Sequence, residues 1–368
     1  MSTAHHHAVE EEIQRLLALG SSRPGPLPVQ DHGELWGALS SAVQGGKRFR
    51  PALLVSTHEA LGGRRDAAAV QVGAALELLH TAFVVQDDVI DGDLVRRGMP
   101  SLPGSVAAAA RDRGADPRGA QRIGQAAGIL AGDLGLVAAL RAVARCEAPA
   151  PVVDRLLDLF ESTLHGSAAG ELADVRLQLG RADSPTVLRE ALAVAELKTA
   201  LYSFQLPLRA GALLADASPE VLEVLDEIGG LLGIGFQLFD DLLGMFGDEQ
   251  RTGKSALGDL REGKRTALIA HAATTSAWDE LAGLLGDAEL GEAEALRARA
   301  LLTDCGSRTW VEDLARWHVA RAAEVAARSR LPAAMVASLD LATAEILRAA
   351  DLTLPRPTAL PASEGLPA

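Results

Sequence analysis

The chain has 368 residues, with 35 basic against 49 acidic side chains and a formal charge of -14, a balance that repels a phosphate backbone and argues against nucleic acid as a partner. Hydrophobic residues make up 48% and aromatics only 3%, so the apolar mass is Ala, Leu and Val, which favours helix packed on helix over a sandwich or barrel. The two cysteines, Cys146 and Cys305, lack close spacing and a neighbouring His or Cys, and so frame neither a disulfide scaffold nor a zinc site; they fit buried thiols in a reducing cytoplasm.

The opening MSTAHHHAVEEEIQRLL is acidic and amphipathic rather than basic and then apolar, so it does not read as a signal peptide. GSSRPGPLPVQ at 20–30 breaks this first helix from the rest, and LTLPRPTALPASEGLPA at 352–368 has no periodicity; both are expected to be exposed and mobile. This divides the chain into an N-terminal helix and linker (1–30), a main domain (31–351) and a disordered Pro-rich tail (352–368). Apolar-periodic segments then run at roughly 49–62, 66–91, 121–145, 150–180, 185–214, 219–247, 263–286, 289–304 and 309–350, some long enough to split. Between the second and third, Pro100, Pro103 and Pro117 with several glycines make Gly98 to Gly119 read as a loop. Strand-like alternation and a repeat period are both missing, and no run reaches the ~20 uninterrupted apolar residues of a membrane span. The expectation is an all-α, soluble, cytoplasmic protein without stable membrane insertion.

Chemistry concentrates at two acidic motifs. Asp87, Asp88 and Asp91, with Asp93, Arg96 and Arg97 behind them, end the almost wholly apolar run 66–90. Residues four apart share a helix face, so Asp87 and Asp91 can aim oxygens at one point. An apolar helix ending in converging carboxylates is costly unless a cation compensates them, and hard oxygens suit Mg²⁺ shared with substrate phosphates. A solvated acidic helix end is the plain alternative for this motif alone; an EF-hand is excluded, because DDVIDGDLVRRG lacks its ligand order. The second motif, Asp240 and Asp241 with Gln237 one turn earlier, lies on another apolar segment and echoes the first. Facing helices would turn the two into a cage for metal ions bridging a diphosphate. Basic groups follow where a diphosphate needs them: GGKRFRP at 45–51, Arg96 and Arg97, Lys198-Thr199, Lys254 and GKRT at 263–266.

GGKRFRP, HTAFVVQDDVIDGDLVRRGMP, AGDL at 131–134, LKT at 197–199, GFQLFDDLL and GKSALGDLREGKRT occur in the order seen in trans-isoprenyl diphosphate synthases, which the chain resembles over roughly 40–270. The resemblance implies a single large helical bundle of the isoprenoid synthase type with a central active-site cavity. It implies condensation of isopentenyl diphosphate with an allylic diphosphate (dimethylallyl, geranyl or farnesyl) at a site that holds three Mg²⁺. By the same likeness Lys47, Arg50, His80 and Arg97 form the metal-free pocket for isopentenyl diphosphate; Arg96, Lys198, Lys254 and Lys264 clamp the allylic diphosphate; Asp87, Asp91 and Asp240 hold Mg²⁺; and Thr199 and Gln237 face the reacting carbon. The resemblance further implies that Ala82 and Phe83, about 7.5 Å and 6 Å below Asp87 at ~1.5 Å per residue, form the floor of the product channel, one small and one bulky, which favours a twenty-carbon over a fifteen-carbon product; the alternative is that Phe83 only packs on a neighbouring helix and Leu78 or Leu79 sets the limit. A homodimer is expected from the family likeness and from the apolar helix at 121–144.

Two positions depart from the family pattern. The second motif commonly ends in Asp where this chain has Gly244, with Asp241 and Asp248 as candidate substitutes, and Glu171 in GELAD stands where many members have Gln. The competing readings are a farnesyl diphosphate synthase, a class I terpene cyclase, disfavoured by the second diphosphate pocket, and a non-catalytic partner subunit, disfavoured by the near-complete motifs.

Overall fold

The computed structural model describes residues 3–22, 30–96, 98–180, 186–247, 256–287 and 289–354. Helices α1 (Thr3–Ser21), α2 (Gln30–Val43), α3 (Phe49–Ala60) and α4 (Asp66–Asp91) are followed by a two-residue antiparallel hairpin, β1 (Val95–Arg96) and β2 (Met99–Pro100). Next come α5 (Leu102–Asp112), α6 (Pro117–Ala144), α7 (Ala150–Leu179) and α8 (Val187–Ala195); α8 runs through a π-helical segment (Glu196–Gln205) into α9 (Leu206–Leu214). The long α10 (Pro219–Phe246) leads to the short α11 (Ala256–Arg261), α12 (Ala267–Ala272) and α13 (Trp278–Leu281), then α14 (Glu292–Asp304), α15 (Ser307–Arg328) and α16 (Ala333–Thr353).

The all-α expectation holds, with informative differences. The stretch read as a loop contains α5, because Pro103 falls in its first turn, where no intrahelical donor is needed, and Ser101 caps it by accepting from the Gly104 N–H at 3.0 Å. Asp116 caps α6 in the same way, with Pro117 next to it. The first helix is not a free arm: Val9 and Ile13 of α1 are fully buried in one core with α4. Of the expected segment 263–286, only short helices form.

Two cores flank the centre of the bundle. One joins α1–α4, α6, α7 and α9; the other joins α10 to α12, α14, α15 and α16. Burying a side chain such as Phe160 or Phe204 contributes about 1.5–3 kcal/mol. The motif-bearing helices α4 and α10 are each held close by a neighbour: a Cβ on Gly132 of α6 would stand 2.7 Å from Gln86, and one on Gly233 of α10 would stand 2.3 Å from the Ala200 methyl of the π segment. These approaches hold α4 on α6 and α10 on the π segment. Helices α4 and α6 are long and apolar enough in composition to cross a bilayer, but α4 is largely interior to the bundle, while α6 keeps an apolar outer face.

Candidate active site

Asp87 and Asp91 project from the last turns of α4, and Gly92, at φ 76, stops the helix in the left-handed region that glycine adopts without strain. The chain thereby folds back through the β hairpin, and Arg96 returns over its own helix to pair with Asp87 at 2.9 Å and Asp88 at 2.5 Å. Asp88 is thus tied to Arg96 and does not join the metal-competent group, in which Asp87, Asp91 and Glu171 of α7 bring carboxylate oxygens within 4.8 Å of one another. Three hard oxygen donors at this spacing fit Mg²⁺.

Lysines compensate these charges. Lys198, from the π segment, lies 3.1 Å from Asp87, 3.0 Å from Glu171 and 2.9 Å from Asp174; Lys264 lies 2.8 Å from Asp91 and 2.9 Å from Glu262. Burial opposes the charge on Asp87, but Lys198, Arg96 and Lys264 outweigh it and hold the carboxyl below its usual range. Burial likewise works against the Lys198 ammonium, yet Asp87, Asp174 and Glu171 raise its pKa. Burial dominates at Asp88, pushed up to about 6, and at Asp241, pushed up to about 8 despite the hydrogen bond from Gln237 and with the Asp240 charge adding to it. From α10, Gln237 accepts from the Thr199 hydroxyl at 2.5 Å and donates to Asp241 at 2.7 Å, joining two of the expected polar residues into one chain of hydrogen bonds.

A second pole collects around Tyr202, the only tyrosine in the chain. Arg50 of α3 donates to the Ser203 hydroxyl at 2.8 Å and to the Tyr202 hydroxyl at 3.3 Å, and its guanidinium sits 4.8 Å from the Tyr202 ring centroid. The His80 ring stacks on Tyr202 at 5.9 Å, and Phe83 meets it edge-on at 5.2 Å. Lys47 is exposed just before α3. Ala82 is fully buried and faces α6, 3.0 Å from where a Cβ on Gly135 would stand. Arg97, Lys254 and Asp248 lie outside the described residues.

Sequence reasoning did not single out Tyr202, Ser203, Asp259 or Glu262. Tyr202 carried a usable signal, as a lone tyrosine three residues beyond the Lys198-Thr199 pair. Arg48, inside GGKRFRP, is a structural residue: it is buried, adopts φ 52, and pairs with Glu77 at 2.8 Å and with Glu10 of α1.

A sequence profile of the Polyprenyl synthetase family matches residues 34–300. The chain belongs to the polyprenyl synthetase family. Among its relatives are a geranylgeranyl diphosphate synthase of Methanosarcina mazei, 34% identical over 78% of this chain and 82% of that protein, and a (2E,6E)-farnesyl diphosphate synthase of Mycobacterium bovis, 33% identical over 81% and 78%. In structure it is similar to a geranylgeranyl pyrophosphate synthase of Corynebacterium glutamicum complexed with isoprenyl diphosphate and magnesium, with a TM-score of 0.84 at 26% identity, covering 93% of this chain and 98% of that one. This polyprenyl synthetase is therefore a trans-prenyltransferase of isoprenoid biosynthesis, from a magnesium-dependent family, with the all-α fold of isoprenyl diphosphate synthases.

Proposed function

We propose that this polyprenyl synthetase adds isopentenyl diphosphate successively to dimethylallyl, geranyl and farnesyl diphosphates and releases geranylgeranyl diphosphate. The observation that carries the reading is the pair of unlike poles: a carboxylate and lysine cluster at Asp87, Asp91, Glu171 and Lys198, and a separate Arg50 pole at Tyr202. One pole suits a metal-bound allylic diphosphate, and the other suits the diphosphate of isopentenyl diphosphate, with Lys47, His80 and Arg97 completing it.

Asp87, Asp91 and Glu171 would hold magnesium from one side and Asp240 from the other, with three ions as the proposed complement. Bound there, magnesium supplies Lewis-acid stabilisation of the negative charge on the departing diphosphate. Lys198, Lys264, Arg96 and Lys254 add fixed positive charge to the same oxygens as the allylic C–O bond breaks with its electron pair. The double bond of isopentenyl diphosphate then attacks the allylic carbon, a C–C bond forms, and the proton lost from the adduct passes to the released diphosphate. Thr199 and Gln237 would present oxygens toward the cationic carbon, where water must be excluded for the cation not to be quenched.

Phe83, edge-on to Tyr202, is the proposed floor of the hydrocarbon channel, with Ala82 beside it on the α6 side. The enzyme is proposed to work in the cytoplasm as a homodimer. Incubation with labelled isopentenyl diphosphate and each allylic starter, followed by chromatography of the dephosphorylated alcohols, tests the whole reading. A twenty-carbon alcohol is expected, lengthened by Phe83→Ala and shortened by Ala82→Phe. A fifteen-carbon end product would make the protein a farnesyl diphosphate synthase, and a hydrocarbon formed without isopentenyl label would make it a cyclase.

A further inference from the structure

Charge is unevenly spread along this acidic chain. Residues 94–123 hold six arginines against two aspartates, with no lysine or glutamate, in a protein whose formal charge is -14. They form the hairpin, α5 and the first turns of α6, and the packing of α6 shows where these lie. Helices α4 and α6 run antiparallel, with Gly135 against Ala82, Gly132 against Gln86 and Gly128 against Val89, while α4 ends at Asp91. The start of α6, from Pro117, therefore overhangs the acidic end of α4 by about 13 Å, at a rise of about 1.5 Å per residue. Helix α5 packs along this overhang, Pro103 and Ala107 meeting Gly124. The basic segment thus projects past the end of the helix that carries Asp87 and Asp91.

Within the projection, Arg96 is held by Asp87 and Asp88, and Arg113 by Glu34 at 3.2 Å. Arg111, Arg118 and Arg122 are exposed and have no ion-pair or hydrogen-bond partner among the described residues. Of the two aspartates, Asp116 is engaged as the cap of α6 and Asp112 is exposed. The same projection has an apolar tip: Val95 and Met99 of the hairpin are 62% and 68% exposed, with Ile90 and Leu94 about half-exposed beside them. Solvated arginines alone, or scattered apolar side chains alone, are ordinary surface. Unpaired cations and an apolar tip on one projecting element are what an interfacial segment presents, the cations to anionic headgroups and the apolar side chains to the acyl boundary.

We propose that the projection formed by the hairpin, α5 and the start of α6 is a docking surface for an anionic phospholipid bilayer, touched peripherally and reversibly. Charge complementarity selects this occupant. The acidic remainder of the molecule is repelled by such a surface, so the contact is confined to the projection, and the carboxylate end of the site is turned toward the lipid. A prenyl diphosphate leaving there passes its hydrocarbon tail to the bilayer instead of to water.

Vesicle flotation of the full chain in EDTA, without substrate, tests the assignment on phosphatidylcholine alone and on phosphatidylcholine mixed with phosphatidylglycerol. The wild type is expected to float with the mixed vesicles, to ignore the neutral ones, and to be released by raised salt. Arg111→Gln, Arg118→Gln and Arg122→Gln combined should weaken binding at least about tenfold. Val95→Ser with Met99→Ser should weaken it several-fold and make what remains more sensitive to salt. Both variants should keep wild-type turnover and thermal unfolding in vesicle-free buffer, which separates lost docking from lost fold. No flotation of the wild type, equal binding to both compositions, or an arginine variant that binds as tightly as the wild type would each overturn the assignment. Self-association without vesicles that the arginine variant abolishes would make the surface a contact between copies of the chain instead. The experiment reads binding alone, so its failure leaves the proposed condensation standing.

Discussion

Within GGKRFRP, neighbouring arginines do different work, and their environments separate them. Arg48 is buried, and its guanidinium bridges Glu77 of α4 and Glu10 of α1. Arg48→Ala would leave Glu77 buried and unpaired, a loss of about 3–5 kcal/mol. Arg50 is half-buried, and its hydrogen bonds to Ser203 and Tyr202 are worth about 1 kcal/mol each in stability. Urea unfolding should therefore show Arg48→Ala strongly destabilised and Arg50→Ala nearly native, while steady-state kinetics show the reverse: a raised KM for isopentenyl diphosphate in Arg50→Ala and a near-native KM in the Arg48→Ala protein that remains folded. Equal stability losses in both variants would refute the division. The motif was legible as a string of basic residues; the role of each was not, because only the fold places Glu10 and Glu77 beside one of them and Tyr202 beside the other.

Among the elements, the π segment has the greatest leverage on the site. It presents Lys198 to α4 and α7, Thr199 to α10, and Tyr202 and Ser203 to α3 and α4. Pro207, just beyond it, has no N–H to give to the helix, and π segments of this kind are found where helices carry function. Deleting Ala200 would return this stretch toward α-helical register and swing the residues on one side by about 100° relative to those on the other. Turnover is expected to fall by at least about a hundredfold, as misplacement of positioned groups does, while the far-UV circular dichroism stays helical. Near-normal turnover in a folded deletion variant would show that the register does not matter. Sequence periodicity located this helix within 185–214 but could not reveal its wider winding, since the apolar pattern of a π turn differs little from that of an α turn over so few residues. It missed α5 for a related reason: prolines were read as breakers without regard to their position in the first turn. The docking of α1 escaped too, because its amphipathic face carries no sign of what covers it.

For the whole molecule, α6 still has an apolar face to be covered. Ile123, Leu130 and Val137 are 49%, 51% and 59% exposed and lie along one side of the helix, while its glycine side is sealed on α4. A second copy related by a twofold axis would bury this face against itself. Leu130→Arg combined with Val137→Asp should halve the mass measured by light scattering at micromolar concentration; a wild type that is already monomeric there would remove the dimer. The acidic overall charge, read at the outset as a reason to exclude nucleic acid, is partly offset at the centre, where Lys198 and Lys264 close onto the carboxylates. That pairing has a thermodynamic consequence. A magnesium ion arriving alone must draw Asp87, Asp91 and Glu171 away from two half-buried ammonium groups, leaving Lys198 with Asp174 and Lys264 with Glu262, and a diphosphate arriving alone meets carboxylates of its own sign. Arriving together, each releases the partner that the other needs. Metal and diphosphate should therefore bind with positive linkage, pyrophosphate tightening magnesium by the same factor by which magnesium tightens pyrophosphate. Calorimetric titrations in both orders measure that factor, and a value of one would mean that the lysines leave the carboxylates at no cost.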